Sequence, residues 1–271
     1  MLDVIDKGPS RESHKAPLLF VHGAWHGAWC WDEHFLDFFA TRGYRSLAVS
    51  LRGHGKSPAP KPMQFCSIAD FVEDVDSVAN SLPERPVLIG HSMGGFVVQK
   101  YLESHDAPAA VLLASVPVSG ITKFLLRRFQ RHPWCTARNM AMTKSLRSVG
   151  GTPELARESF FSESVSDADV VRYAALLGEE YVGRIVLDML WLNLSRPNLV
   201  SAPLLVLGAE NDILFSRQEV LATAAAYRTE AEFFPEMAHD MMLEPGWAAV
   251  AERIHAWLER RDATQGGLLD A

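Results

Sequence analysis

A serine at position 92 has the setting of an activated nucleophile. It lies in GHSMG, residues 90–94, between the apolar run PVLI and the helical pattern GFVVQKYLES. This is the G-x-S-x-G pattern in its required context, a sharp turn from a strand into a helix. Such a turn strains the serine backbone and projects the hydroxyl, and Gly90 and Gly94 leave the space it needs. We therefore predict that Ser92 is a nucleophile rather than an ordinary helix N-cap.

A serine hydroxyl needs a general base, and that base needs a third group to orient it. His239 lies in PEMAHDMMLEP, before the last predicted helix, and Asp212 lies just after the apolar run PLLVLG. Glu210 is the alternative acid, but it comes directly at the end of the predicted strand. We predict a catalytic triad of Ser92, Asp212 and His239.

Charge that develops on a carbonyl oxygen needs backbone N–H donors. Met93 follows the nucleophile, and Ala24 lies in HGAW, after the apolar run PLLFV. Gly23 would let this loop approach a substrate. We predict that Ala24 and Met93 form the oxyanion hole.

The elements that must position these residues alternate along the chain. Short apolar runs, typical of strands buried on both faces, begin at Pro17, Ser46, Pro86, Ala110 and Pro203. Helical patterns follow Ser67, Ser216 and Pro245, and the first two have an acidic residue three positions on, as in a capping pair. The pattern predicts an α/β fold with a mostly parallel central sheet covered by helices on both faces.

Strand-like runs are absent between about residues 118 and 199, where helix starts follow at Thr152 and Ser166. We predict that residues 118–199 are a helical cap, or lid, inserted into a core of residues 1–117 and 200–262. Residues 263–271 are predicted to be a flexible tail.

The substrate pocket is expected between the sheet and this cap. Its predicted lining is apolar and aromatic, and consists of Trp25, Phe124, Leu125, Phe129, Trp134 and Trp191. Such a pocket suits a small to medium, partly apolar substrate.

Composition narrows the possible partners. The 271 residues carry a net charge of −7, which disfavours nucleic acid. A basic helical face of Lys123, Arg127 and Arg131 could contact a membrane, but a solvated face is favoured. The first residues lack the apolar stretch of a secretory signal, so we predict a cytoplasmic location. A monomer or homodimer is expected.

No cofactor and no metal are predicted. Clusters of His, Cys or carboxylates lack metal-site spacing, and a Gly-rich dinucleotide fingerprint is absent. Cys30, Cys66 and Cys135 are predicted to be thiols. The loop histidines at positions 22, 26, 54 and 91 are predicted to make structural hydrogen bonds.

Together, FVHGAWHGAW, SLRGHGKS, GHSMGG, GAEND and AHDMMLEP resemble the landmark motifs of the α/β-hydrolase superfamily, in their usual order. The resemblance covers the chain except the cap and implies a serine hydrolase. The HGAWHGAW loop is similar to that of plant methylesterases and hydroxynitrile lyases. Those lyases typically have Thr at the Gly23 position and Lys after the histidine, where this chain has Asp240, so the resemblance favours an esterase.

Other reactions of the same scaffold stay open. They are carbon–carbon bond, lactone or thioester hydrolysis, perhydrolysis and hydroxynitrile cleavage, because a triad and an oxyanion hole serve them all. A ligand receptor built on a hydrolase core is the alternative from another class.

Overall fold

The computed structural model describes residues 1–8, 16–134, 147–181 and 183–269. Its centre is a sheet of seven strands in the order β1-β3-β2-β4-β5-β6-β7. The strands are β1 (Asp3–Lys7), β2 (Leu18–Val21), β3 (Ser46–Ser50), β4 (Val87–His91), β5 (Ala110–Leu113), β6 (Leu204–Ala209) and β7 (Ala231–Phe234). All neighbours are parallel except β1, which pairs antiparallel with β3.

The five predicted strands are confirmed as β2 to β6, and every residue in them is buried. Prediction missed the two edge strands. In β1 apolar and charged residues mix, and β7 is only half-buried, so neither reads as a continuous apolar run.

Helices cover the sheet and form the insertion. They are α1 (Trp29–Asp32), α2 (Phe35–Thr41), α3 (Ile68–Ala79), α4 (Met93–Tyr101), α5 (Thr122–Arg131), α6 (Arg147–Gly150), α7 (Pro153–Phe160), α8 (Asp167–Ala174), α9 (Arg184–Leu187), α10 (Arg217–Ala226) and α11 (Trp247–Leu269). A π-helical turn, Asp188–Leu192, extends α9, and single 3-10 turns lie at Met63–Phe65 and Pro197–Leu199.

The predicted helix starts are confirmed. Ser67 and Ser216 each form a capping box with the acidic residue three positions on, and Thr152 and Ser166 each accept a backbone N–H bond at the start of a helix. Local side-chain hydrogen bonds therefore determine where these helices begin.

The described residues between β5 and β6 form α5 to α9, which agrees with the predicted helical character of 118–199. One expectation differs from the structure. Residues 263–271 are predicted to be a flexible tail, whereas residues 263–269 continue α11, because Glu, Arg, Ala and Gln before the two glycines favour a helix. Residues 270–271 lie outside the described residues.

None of the described helices combines the length and the apolar character needed to cross a bilayer. Cys30 and Cys66 are buried free thiols, and Cys135 lies outside the described residues.

An aromatic cluster fixes the sheet behind the candidate site. Trp31 is fully buried, with its ring centroid 5.0 Å from that of Phe20 and 5.4 Å from that of Phe35. Its ring also meets that of His91, the residue before Ser92, edge to face at 6.4 Å. Core packing therefore reaches directly to the turn that carries Ser92.

We expect Trp31→Ala to lower the free energy of unfolding by about 3–5 kcal/mol, since it empties a fully packed aromatic site. Trp134→Ala is the matched control, because Trp134 is 88% exposed, and should change it by less than about 0.5 kcal/mol. Urea unfolding followed by circular dichroism measures both. Equal effects of the two substitutions would contradict the importance of this cluster.

Candidate active site

The turn at Ser92 joins β4 to α4 without an intervening loop. Ser92 has φ 52° and ψ −119°, a strained backbone conformation for a residue with a side chain. Its N–H donates to the carbonyl of Leu113 on β5, and its carbonyl accepts from Val116. A Cβ on Gly90 would lie 2.5 Å from the carbonyl oxygen of Gly94, so this turn closes only with glycine there.

The loop after β2 lies directly against the nucleophile. A Cβ atom on Gly23 would be 2.9 Å from the Cβ of Ser92 and 2.9 Å from Nδ1 of His91. Real Cβ atoms do not come this close to other atoms, so glycine allows the contact. The loop that contains Ala24 is therefore held close to Ser92.

His239 and Asp212 are joined by a buried hydrogen bond. His239 Nδ1 donates to Asp212 Oδ2 at 2.8 Å, and both side chains are 1% exposed. Asp212 Oδ1 accepts the backbone N–H groups of Leu214 and Phe215, which fixes the carboxylate. Glu210, the alternative acid, is instead half exposed beside Arg217. The structure thus brings His239 together with Asp212.

The charge of Asp212 sets the protonation of His239. Burial disfavours the imidazolium, but the charge and hydrogen bond of Asp212 outweigh it and raise the pKa of His239 above its ordinary value of 6.5. The ring is thereby kept ready to accept a proton and to hold it next to a carboxylate.

The hydrogen bonds of the described residues do not include one from Ser92 Oγ to His239. The two residues are linked instead through His91, whose Nε2 donates to the carbonyl of His239 at 3.1 Å. Catalytic hydrogen bonds commonly tighten only when substrate is bound. His91 therefore ties the loop of the base to the turn of the nucleophile.

Histidines also hold the loop after β2. His22 Nδ1 donates to the carbonyl of Gly23, and His22 Nε2 accepts the N–H of Leu51 on the neighbouring loop. His26 Nδ1 donates to the carbonyl of Ala24 at 2.7 Å. The structural role predicted for these histidines agrees with these bonds.

A buried carboxylate completes the arrangement behind His239. Asp240 Oδ2 lies 2.9 Å from Nε2 of His26, and both side chains are almost fully buried. Burial opposes ionisation of Asp240, but the charge of His26 outweighs it and lowers the pKa of Asp240. For His91, burial and the positive charge of His239 lower the pKa to about 3, so this ring is neutral.

One group of potential metal ligands occurs in the described part of the chain. Ligand atoms of His91, His239 and Asp240 lie within 4.8 Å of one another. His239 is bonded to Asp212 and Asp240 to His26, so both are engaged in hydrogen bonds that position the loop.

A cavity lies at Ser92. Its lining is apolar apart from Ser92 and one glutamate, and consists of Ala24, Trp25, Ser92, Met93, Val116, Ile121, Phe124, Glu180, Ile185, Val186, Met189, Leu214 and Phe215.

The structure places two of the six predicted pocket residues, Trp25 and Phe124, in this lining. The other four lie outside it: Leu125, Phe129, Trp134 and Trp191. Phe129 is 49%, Trp134 88% and Trp191 63% exposed. On α5, Phe124 faces the cavity, because only one side of a helix can face inward. Aromatic character alone does not show which side that is.

Sequence reasoning missed most of the cap side of the cavity. Ile185, Val186 and Met189 come from α9 and its π-helical extension, and Glu180 precedes them in the segment GEEYVG. A short apolar cluster at 185–189 was the available signal for the first three. Nothing local distinguishes Glu180 from its neighbour Glu179.

The sequence model described as "Alpha/beta hydrolase family" matches residues 18–253. Among curated proteins, "Probable esterase PIR7A" of Oryza sativa subsp. indica is 35% identical over 108 residues, 38% of this chain and 40% of that protein. "Methylesterase 3" of Arabidopsis thaliana is 36% identical over 88 residues, 32% of this chain and 33% of that protein. The chain thus spans about two fifths or less of the length of these relatives.

Among solved structures, a thermophilic esterase from Thermogutta terrifontis aligns with a TM-score of 0.74 and 20% identity. The alignment covers 96% of this chain and 93% of that one. At this identity the likeness concerns the fold.

We expect Asp240→Asn to lower the free energy of unfolding at pH 7 by about 3–5 kcal/mol, because buried His26 loses its charged partner. The pKa of Asp240 is lower in the folded state than its ordinary value of 3.8. Ionised Asp240 therefore stabilises the folded state fully above pH 3.8, and this stabilisation is lost as the pH falls through the pKa of the folded state.

Urea unfolding at pH 7 and at pH 3 measures this difference. Asp106→Asn is the control, since Asp106 pairs with Arg85 on the surface and should contribute less than about 1 kcal/mol. If Asp240→Asn lowered the free energy of unfolding more at pH 3 than at pH 7, this account of Asp240 would be wrong.

Proposed function

The chain belongs to the alpha/beta hydrolase family, and we propose that it is an esterase that cleaves a carboxylic ester through Ser92, His239 and Asp212. The observation that carries the proposal is the buried 2.8 Å bond from His239 to Asp212, on a loop that His91 ties to the Ser92 turn. The similarity to a rice probable esterase and an Arabidopsis methylesterase supports ester chemistry.

In the first step, Ser92 Oγ attacks the ester carbonyl carbon while His239 Nε2 takes the hydroxyl proton. Asp212 stabilises the imidazolium that results. The tetrahedral intermediate then collapses, His239 gives the proton to the leaving alcohol, and an acyl group stays on Ser92. Water, deprotonated by His239, attacks this acyl-enzyme, and the carboxylic acid leaves as Ser92 takes back its proton.

The negative carbonyl oxygen of each intermediate needs donors in place beforehand. We assign the N–H groups of Met93 and Ala24 to this task. Met93 is the first residue of α4, where the helix dipole favours negative charge, and Ala24 lines the same cavity. The bond from His26 to the Ala24 carbonyl supports a fixed orientation of this loop.

The cavity supports a small to medium, partly apolar substrate. Side chains such as Phe124, Met189 and Phe215 surround the space next to Ser92. Burial of an apolar acyl or alcohol group there supplies binding energy in proportion to its area.

Two features favour ester hydrolysis over hydroxynitrile cleavage. A side chain at position 23 would collide with the Cβ of Ser92, so the threonine of the lyases does not fit this loop. After His239 the chain has Asp240, which is buried against His26, in place of the lysine of the lyases. Both features argue against the lyase reaction.

We expect Ser92→Ala to abolish hydrolysis of p-nitrophenyl esters and labelling by a fluorophosphonate probe, since both need the serine oxygen. Ser104→Ala, an exposed serine just beyond α4, is the matched control and should keep both. Initial rates and intact-protein mass spectrometry are the measurements. Ester turnover that survives in Ser92→Ala would overturn the mechanism.

We expect kcat/KM to fall on the acid side with a midpoint above pH 6.5, because His239 accepts a proton only when neutral and its pKa is raised. Asp212→Asn should move this midpoint to lower pH and reduce kcat by about 10³–10⁴-fold.

The control is Glu210→Gln, which removes a neighbouring half-exposed carboxylate and should leave the profile unchanged. An unchanged profile in Asp212→Asn, with a shift in Glu210→Gln, would reassign the acid to Glu210.

A further inference from the structure

Among the described residues that line the cavity, one has a carboxylate: Glu180, from the insertion between β5 and β6. It lines the same space as Ser92, and its residue is only 4% exposed. The other described lining side chains are apolar, apart from the Ser92 hydroxyl and the indole N–H of Trp25. An acidic group in such surroundings is costly unless its oxygens find donors.

Only one oxygen of Glu180 has donors among the described residues. Oε1 accepts from His54 Nε2 at 2.5 Å and from the N–H of Trp25 at 3.3 Å. Oε2 receives no hydrogen bond from the described residues. A carboxylate oxygen that receives no donor from the protein can accept a hydrogen bond from a donor on a bound molecule.

The carboxylate is held in a fixed position by the core. The Trp25 N–H donates to Glu180, and the Trp25 carbonyl accepts a hydrogen bond from the N–H of Gly178 at 2.6 Å. Both peptide groups of Trp25, which has φ 66°, are thus bonded to the segment 178–180. A carboxylate positioned in advance loses little entropy when it binds a ligand.

The partner of Glu180 decides which kind of donor suits it. Burial lowers the pKa of His54, but the charge of Glu180 outweighs this and raises it, so the imidazolium is favoured. The pair then has no net charge. A neutral hydroxyl is a better partner for it than a cation, which the positive His54 would repel.

We propose that Oε2 of Glu180 binds a hydroxyl group of the substrate, so that the preferred ester carries a neutral hydroxyl on its apolar part. This inference rests on the proposed esterase function and names its substrate class. Glu180 is thereby a specificity-determining residue, and Ser92 remains the reacting group.

A binding experiment tests the proposal without turnover. The probes are 4-phenylbutan-2-one and its 2-, 3- and 4-hydroxyphenyl analogues, ketones that imitate the ester but are not hydrolysed. We expect one hydroxylated ketone to bind about tenfold or more tightly than the plain ketone, as one hydrogen bond to a charged acceptor gives. Calorimetric titration measures the Kd values.

Glu180→Gln keeps the size of the side chain and an oxygen for His54 and Trp25, but it presents an N–H₂ donor in place of Oε2. The Kd ratio should fall several-fold, because the hydroxyl loses its charged acceptor and can only accept from the neutral amide, and a methoxy analogue, which only accepts, should gain affinity. The control is Glu33→Gln. Glu33 pairs with Arg172 and so also joins the insertion to the core, but it lies away from the cavity. This variant should keep the wild-type Kd ratio.

Glu180→Asp is a second variant in case the first does not fold. It withdraws the carboxylate by one methylene and should reduce the ratio. Equal Kd values for all four ketones in the wild type overturn the proposal, as does a ratio that persists in the folded Glu180 variants.

The matched methyl esters of 3-phenylpropanoic acid and its hydroxyphenyl analogues separate the two proposals. A kcat/KM preference for one hydroxylated ester supports both. Turnover without preference overturns the role of Glu180 alone. Hydroxyl-selective ketone binding without turnover of any ester overturns the esterase function and leaves the Glu180 site in place.

Discussion

The strained turn at Ser92 is the constraint on which the rest of the site depends. A residue with a side chain adopts this backbone conformation only when its surroundings determine it strongly. Here β4 and α4 are continuous with the turn, the Ser92 N–H is bonded to β5, and the loop after β2 presses against its Cβ. The parallel sheet is therefore the support of a high-energy turn as well as the core of the fold.

Buried histidines connect this turn to the rest of the site. His91 reaches the loop of His239, and His26 links the Ala24 peptide to Asp240, the next residue along that same loop. Because an imidazole has two ring nitrogens, each ring can join two loops at once. The geometry around Ser92 is thus set by polar bonds inside an apolar core, where a missing partner is expensive.

Much of this could be predicted from sequence, for identifiable reasons. Strands β2 to β6 are apolar on both faces, and the capping boxes at Ser67 and Ser216 are local, so short windows of sequence contain the signal. Edge strand β1 and the cavity side of the insertion depend instead on packing between residues far apart in the chain, so short windows of sequence do not reveal them. Trp134 and Trp191 looked suitable for a pocket, yet they are exposed, while Glu180 gained its place through His54, 126 positions away in the chain.

The hold of residues 178–180 on Trp25 also couples two walls of the cavity. Loss of that hold would break the bonds at both Trp25 peptide groups and part Glu180 from His54. A substitution within residues 178–180 would therefore change the position of Trp25, next to Ala24, and the position of the Glu180 carboxylate together.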